Sequence, residues 1–202
     1  MTASIVVITA GLSQPSSSRL LADRLAQAAG NALGELGENA DVTVVELRDH
    51  ATDLANHFVT GFPAPKLAAV LRQVTEADAL IAVSPIFSAS YSGLFKMFFD
   101  VLEINALNGK PVLIGATGGT ARHSLALEYA LRPLFSYLHA IVVPTAIFAA
   151  PEDWASENVL ADRLTRAGDE LARLVTNRPS SARGAEAEVV PFERLLQRGR
   201  NA

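Results

Sequence analysis

The chain has no cysteine among its 202 residues. That excludes a disulfide scaffold, a thiolate metal site and a cysteine nucleophile together. Charge of one sign is scarce as well: 17 basic against 21 acidic residues leave a net of −4. Such balance argues against a nucleic-acid binder held by phosphate contacts. It argues equally against an acidic electron carrier that works by steering. No stretch reaches the roughly 18 uninterrupted apolar residues of a membrane span. Met1–Ala10 has no basic flank and runs straight into a strand pattern, unlike a secretion signal. Three familiar motifs are missing too: G-x-G-x-x-G after the first strand, a phosphate loop ending in Gly-Lys-Ser/Thr, and a G-x-S-x-G elbow. His50, His57, His123 and His139 are scattered, with no zinc-type spacing. Half the residues are hydrophobic, which rules out disorder as the dominant state. The expectation is a globular cytoplasmic protein with neither nucleic acid nor membrane as a partner.

What is present is an alternation. Short β-branched runs at Ser4–Thr9, Asp41–Leu47, Ala77–Ser84, Pro111–Ala116 and Ala140–Phe148 read as buried parallel strands. Between and after them, helical patterns cover Ser18–Leu36, Pro65–Ala77, Ser92–Leu102, Thr120–Leu138 and Ser156–Asn177. Five strands alternating with five helices predict a doubly wound α/β sheet with helices on both faces. Asp49–Pro65 reads as a short helix through Leu54–Phe58 followed by a turn at Thr60–Pro63. The domain is expected to span 1–179. The tail 180–202 returns to an apolar pattern at Val189, Val190, Phe192, Leu195 and Leu196, so it either docks on the body or a second subunit, or frays.

Ligands of such sheets bind beyond the carboxyl ends of the strands. Three loops qualify. Gly11-Leu12-Ser13-Gln14-Pro15-Ser16-Ser17-Ser18 offers hydroxyls and helix N-terminal amides to a phosphate; the plain alternative is a serine cap. Ser84–Gly93 carries Pro85, which ends the strand's ladder, and then four serines around an aromatic pair, a surface for a flat ligand. Thr117-Gly118-Gly119-Thr120 allows close backbone approach, or is simply a turn. All three follow strands expected to be neighbours, and together they form one rim.

The combined motifs resemble the NADPH-dependent FMN reductases. They are Gly11–Ser18, Pro85-Ile86-Phe87-Ser88-Ala89-Ser90-Tyr91-Ser92-Gly93-Leu94-Phe95-Lys96, Gly109-Lys110-Pro111 and Ala116-Thr117-Gly118-Gly119. The resemblance runs from Ser4 to about Trp154, closest to the branch serving two-component flavin monooxygenases. It implies a flavodoxin-like five-stranded sheet of order 2-1-3-4-5. It implies FMN and NADPH (or NADH) as cofactors, and hydride transfer to FMN that supplies a partner monooxygenase. Ser13, Ser16, Ser17 and Ser18 would hold the FMN phosphate. Pro85, Ile86, Phe87 and Ser88 would line the isoalloxazine, and Thr117, Gly118 and Gly119 would contact its polar edge. Gln14 stands where many relatives carry arginine, so the phosphate is either held less tightly or depends more on Arg19; Phe87 stands where many carry tyrosine, so a hydroxyl contact is lost there. Because the cofactor carries the chemistry, no catalytic acid or base is expected. Arg122 and Arg132 are within range of a nicotinamide 2′-phosphate, or are ordinary surface arginines.

The apolar residues of Leu94–Leu102 and of Leu125–Leu138 encircle their helices, more than the stripe a one-sided helix needs. They predict a homodimer or homotetramer, or else deep burial. Pro133 should bend the second helix or mark an irregular turn, and by the resemblance an irregular turn falls near Tyr129, placing that residue near flavin or a subunit contact. Other readings remain: a protein with bound FMN that reduces quinones, azo compounds or metal ions, a flavodoxin-type carrier, a non-catalytic flavin-binding module and, last, a serine hydrolase.

Overall fold

The computed structural model describes residues 2–154 and 157–177. The proposed tail at 180–202 and its boundary lie outside the described residues. Strands β1 (Thr2–Thr9), β2 (Asn39–Glu46), β3 (Ala79–Phe87) and β5 (Pro111–Thr117) pair in parallel in the order β2-β1-β3-β5. Ile5 lies opposite both Val42 and Ala79, and Leu80 lies opposite Val112. The last position holds two short strands, β6 (Ile141–Val142) and β7 (Ile147–Ala149), both parallel to β5. The single strand expected over Ala140–Phe148 is interrupted around Pro144, which has no N–H for a ladder. With β6 and β7 counted as one position, the order is the expected 2-1-3-4-5. The remaining strand, β4 (Ser90–Tyr91), folds back antiparallel on β3 as a hairpin.

Alternation along the strands builds two cores. Ile5 and Val7 face helices α1 (Ser17–Glu35) and α6 (Glu157–Thr176). Val6 and Ile8 face α3 (Pro65–Glu76), α4 (Gly93–Asp100) and α5 (Arg132–Tyr137), with α2 (Ala51–Thr60) contributing Leu54. Small residues let α1 and α6 meet closely: a Cβ on Gly168 would come 2.7 Å from the Ala28 backbone. On the other side Phe95, Phe98, Phe99 and Phe135 form an aromatic cluster with centroids 4.7–6.3 Å apart. That cluster explains the wide apolar arc of α4, which this chain covers largely by itself. Lys110 is buried and donates from Nζ to Thr75 O at 3.1 Å and to Ala77 O. The lysine thus ties the end of α3 to the start of β5.

The continuous helix expected over Thr120–Leu138 is broken into three pieces. A 3-10 turn at Ala121–His123 leads to a π-helical segment at Leu127–Leu131, and α5 follows. Pro133 lies in the first turn of α5, where a missing N–H costs little. The irregularity therefore precedes the proline, at Tyr129.

Candidate functional site

The carboxyl ends of β1, β3, β5 and β7 open onto one cleft of about 400 Å³. Ser13, Ser16, Ser17, Ser18, Pro85, Ile86, Phe87, Thr117, Gly118 and Gly119 all line it. Ser88 does not. It sits with Ala89 at the tip of the β3–β4 hairpin, both at left-handed φ values of 47° and 68°. Gly11, Leu12, Ala149, Pro151 and Trp154 line the cleft as well and were not singled out as contacts from the sequence. The last three stand at or just beyond the carboxyl end of the fifth strand position, on the same edge; extending the strand-end rule to it would have found them.

The first loop is shaped by close packing and capping. Ser16 caps α1, its Oγ accepting from Arg19 N at 3.2 Å. Ser17 and Ser18 occupy the first turn, whose amides have no intrahelical acceptor, and that turn carries no acidic residue. Capping and anion binding thus coexist here, because the cap engages one amide and leaves others free for a ligand. A Cβ on Gly11 would fall 2.0 Å from Ser16 Oγ, so the backbone passes where only glycine fits. Behind the serines, Ser18 Oγ and Thr117 Oγ1 share a buried hydrogen bond of 2.7 Å that joins the first and third loops. From outside, Arg48 donates to Ser13 O at 2.9 Å. With its amide oxygen turned toward Arg48, Gln14 accepts from Nη2 at 2.6 Å.

Arg19 does not line the cleft. Its guanidinium is held by Asp23 at 2.8 Å and Glu46 at 2.7 Å, and the hydrogen bond to Asp23 is the main cause of its raised pKa. The expected shift of phosphate binding onto Arg19 therefore finds no support in the geometry. Among the described residues no charged side chain lines the cleft.

In the middle loop, two of the four serines have structural roles. Ser84 Oγ donates to Pro85 O and accepts from Ser92 N, both at 2.9 Å. Ser92 Oγ then caps α4 by accepting from Phe95 N at 3.2 Å. These bonds brace the base of the hairpin and leave Phe87 47% exposed at the cleft wall. Tyr129, on the π-helical segment, donates from its hydroxyl to Ala89 O at the hairpin tip. It lies outside the cleft lining and is tied to the hairpin by that bond.

The third loop is more open. A Cβ on Gly118 would meet the Phe148 ring at 2.9 Å, whereas one on Gly119 would meet nothing within 4 Å. Thr120 Oγ1 accepts from Arg122 N at 3.3 Å and starts the 3-10 turn. Trp154, the single tryptophan, closes the remaining wall, with the Arg24 guanidinium 5.3 Å from its ring centroid. Helix N-terminal amides and hydroxyls at one end, with apolar walls and glycine backbone beyond, fit a phosphate joined to a flat ring.

The family model for NADPH-dependent FMN reductases matches residues 3–155. The chain belongs to this family. It is 34% identical over 188 residues to an NADPH-dependent FMN reductase of Pseudomonas aeruginosa, covering 92% of this chain and 95% of that protein. An NADH-dependent FMN reductase of Pseudomonas fluorescens is 33% identical, with 79% and 83% covered. Among solved structures, an oxidoreductase from Corynebacterium diphtheriae superposes with a TM-score of 0.86 at 44% identity, covering 88% of this chain and 99% of that one. The apo form of an NADH:FMN oxidoreductase gives 0.76 at 29% identity, covering 92% and 96%. Among the described residues no group of three His, Cys, Asp or Glu is placed to hold a metal. No described helix is long and apolar enough to cross a membrane.

Proposed function

We propose that the cleft binds FMN with its phosphate at the start of α1 and its ring against Pro85, Ile86, Phe87, Gly118 and Gly119. NADPH or NADH is oxidised there, and reduced FMN leaves for a separate flavin-dependent monooxygenase. The observation that carries this reading is the cleft's lining: amides and hydroxyls at one end, apolar walls and glycine backbone at the other, and no charged side chain among the described residues. Bound flavin supplies the hydride-accepting ring. The chain's own part is positional. Ser16, Ser17, Ser18 and the first amides of α1 would hold the phosphate, while Phe87 and the glycines would line the ring. Membership of the family and the NADPH- and NADH-dependent relatives support the reaction class.

The same reading places the enzyme in the cytoplasm as a homodimer or homotetramer. Leu125, Tyr129 and Tyr137 are 67%, 56% and 82% exposed, so apolar surface remains from just before the π-helical segment to the end of α5. A particle of one chain in light scattering would contradict the oligomer.

The test is NADPH oxidation by desalted protein under air, with and without added FMN. Turnover that appears only with FMN and saturates with it supports the reading. Turnover without added FMN would mean a retained flavin and favour reduction of quinones, azo compounds or metal ions. No turnover in either case would leave a carrier or binding module.

A further inference from the structure

We infer that Arg122 forms a subsite for the 2′-phosphate of NADPH, on the rim just beyond β5. The inference rests on the reading that a nicotinamide dinucleotide works in the cleft. Because no charged residue among those described lines the cleft, a coenzyme's additional phosphate is recognised from its rim.

Most of the rim's cations are already engaged. Arg19 is paired with Asp23 and Glu46, and Arg48 is paired with Glu46 at 2.6 Å while it also braces Ser13. Arg24 lies against Trp154. Arg132, the other arginine near the third loop, is fully occupied: Nε and Nη2 donate to Glu128, Nη1 to Val143 O at 3.0 Å, and Nη2 to Pro144 O at 3.1 Å. Arg122 differs. Among the described residues its side chain has no ion pair or hydrogen bond, and it is exposed.

Its backbone is nevertheless held. Arg122 follows Gly119 by three residues, and its backbone N–H is held by Thr120 Oγ1. The turn folds back on the loop, with His123 Cβ 3.7 Å from where a Cβ on Gly118 would sit. Glu128, the next acid along the chain, is already taken by Arg132. An unpaired guanidinium on a fixed turn, beside the backbone that borders the cleft, matches the bidentate geometry of a phosphate monoester.

The test uses 2′,5′-ADP and 5′-ADP as probes in calorimetry, together with steady-state kinetics for NADPH and NADH at saturating FMN. The wild-type chain is expected to bind 2′,5′-ADP about tenfold more tightly than 5′-ADP, the scale of one charge-assisted contact. Arg122→Ala should abolish that difference and lower kcat/KM for NADPH relative to NADH by a similar factor, through KM. Arg122→Lys should restore part of it, and added salt should weaken the wild-type preference. An unchanged probe difference, or an equal fall for both coenzymes, overturns the assignment. Failure of the wild type to oxidise either coenzyme would instead overturn the reductase reading, while the 2′,5′-ADP titration would still decide whether Arg122 binds the phosphate.

Discussion

The two ends of the cleft are built differently. At the start of α1 the loop is braced on every side: glycine passes under Ser16, Ser18 is bonded to Thr117, and Arg48 holds Ser13 and Gln14 from outside. Beyond β5 the chain runs through an open glycine, a short 3-10 turn and a π-helical segment, much of it exposed. A site that must hold one constant group, a phosphate, benefits from a rigid cradle. A site through which two substrates enter and one product leaves benefits from an open border. The contrast predicts that small changes at the first end weaken binding sharply, whereas changes at the second mainly alter selection and local stability.

The largest effect should come from Gly11→Ala. Its new methyl group would lie 2.0 Å from Ser16 Oγ and 3.2 Å from the Ser16 and Ser18 Cβ atoms, so Ser16 must turn away from its cap and both serines must give way. FMN affinity should fall about tenfold or more, the value of one or two charge-assisted hydrogen bonds. Quenching of Trp154 fluorescence by FMN measures this directly, because that residue lines the cleft and is the single tryptophan. Undiminished affinity would show that the loop is not the rigid cradle described.

An intermediate effect is expected at the tie between the loops. Ser18 and Thr117 are only 3% and 6% exposed. Ser18→Ala leaves the Thr117 hydroxyl buried without its partner and should cost about 1–3 kcal/mol in urea unfolding. Adding Thr117→Val should cost less than the two single changes summed. Strict additivity would mean that the bond does not couple the loops.

The smallest effect belongs to the open end. Hydrogen bonds from Arg132 hold the Glu128 carboxyl below its ordinary value of 4.5. The pair's stabilisation is thus present above that value and lost as pH falls through the lowered folded value. At neutral pH Glu128→Gln should cost only about 0.3–0.5 kcal/mol, since the pair is exposed. The difference between variant and wild type should vanish in acid. A difference that persists there would assign the effect to packing.

Much of this architecture was legible because it follows from periodicity. The β-branched runs fixed four of the strand positions, and α6 matches its predicted span within a residue at each end. The rule that ligands sit beyond strand carboxyl ends found three of the four loops. What was hidden depends on tertiary partners. Ser88 and Ala89 form a two-residue hairpin turn without the Asn-Gly or Asp-Gly signal, and a hydroxyl from Tyr129, 40 residues away, meets the Ala89 carbonyl at its tip. The serines of the middle loop suggested ligand contacts, yet Ser84 and Ser92 satisfy backbone groups. Gln14 gave no sign that its partner would be Arg48. The apolar circumference of α4 pointed outward to another subunit, but Phe135 and neighbouring rings cover much of it.

The most direct test compares FMN with riboflavin as quenchers of Trp154 fluorescence in the wild-type chain. The two share a ring and differ by the phosphate assigned to the start of α1. Saturable quenching by both, with FMN bound about tenfold or more tightly, is the result expected of a phosphate cradle. Equal affinities, or no quenching by either, would contradict the placement of FMN in this cleft.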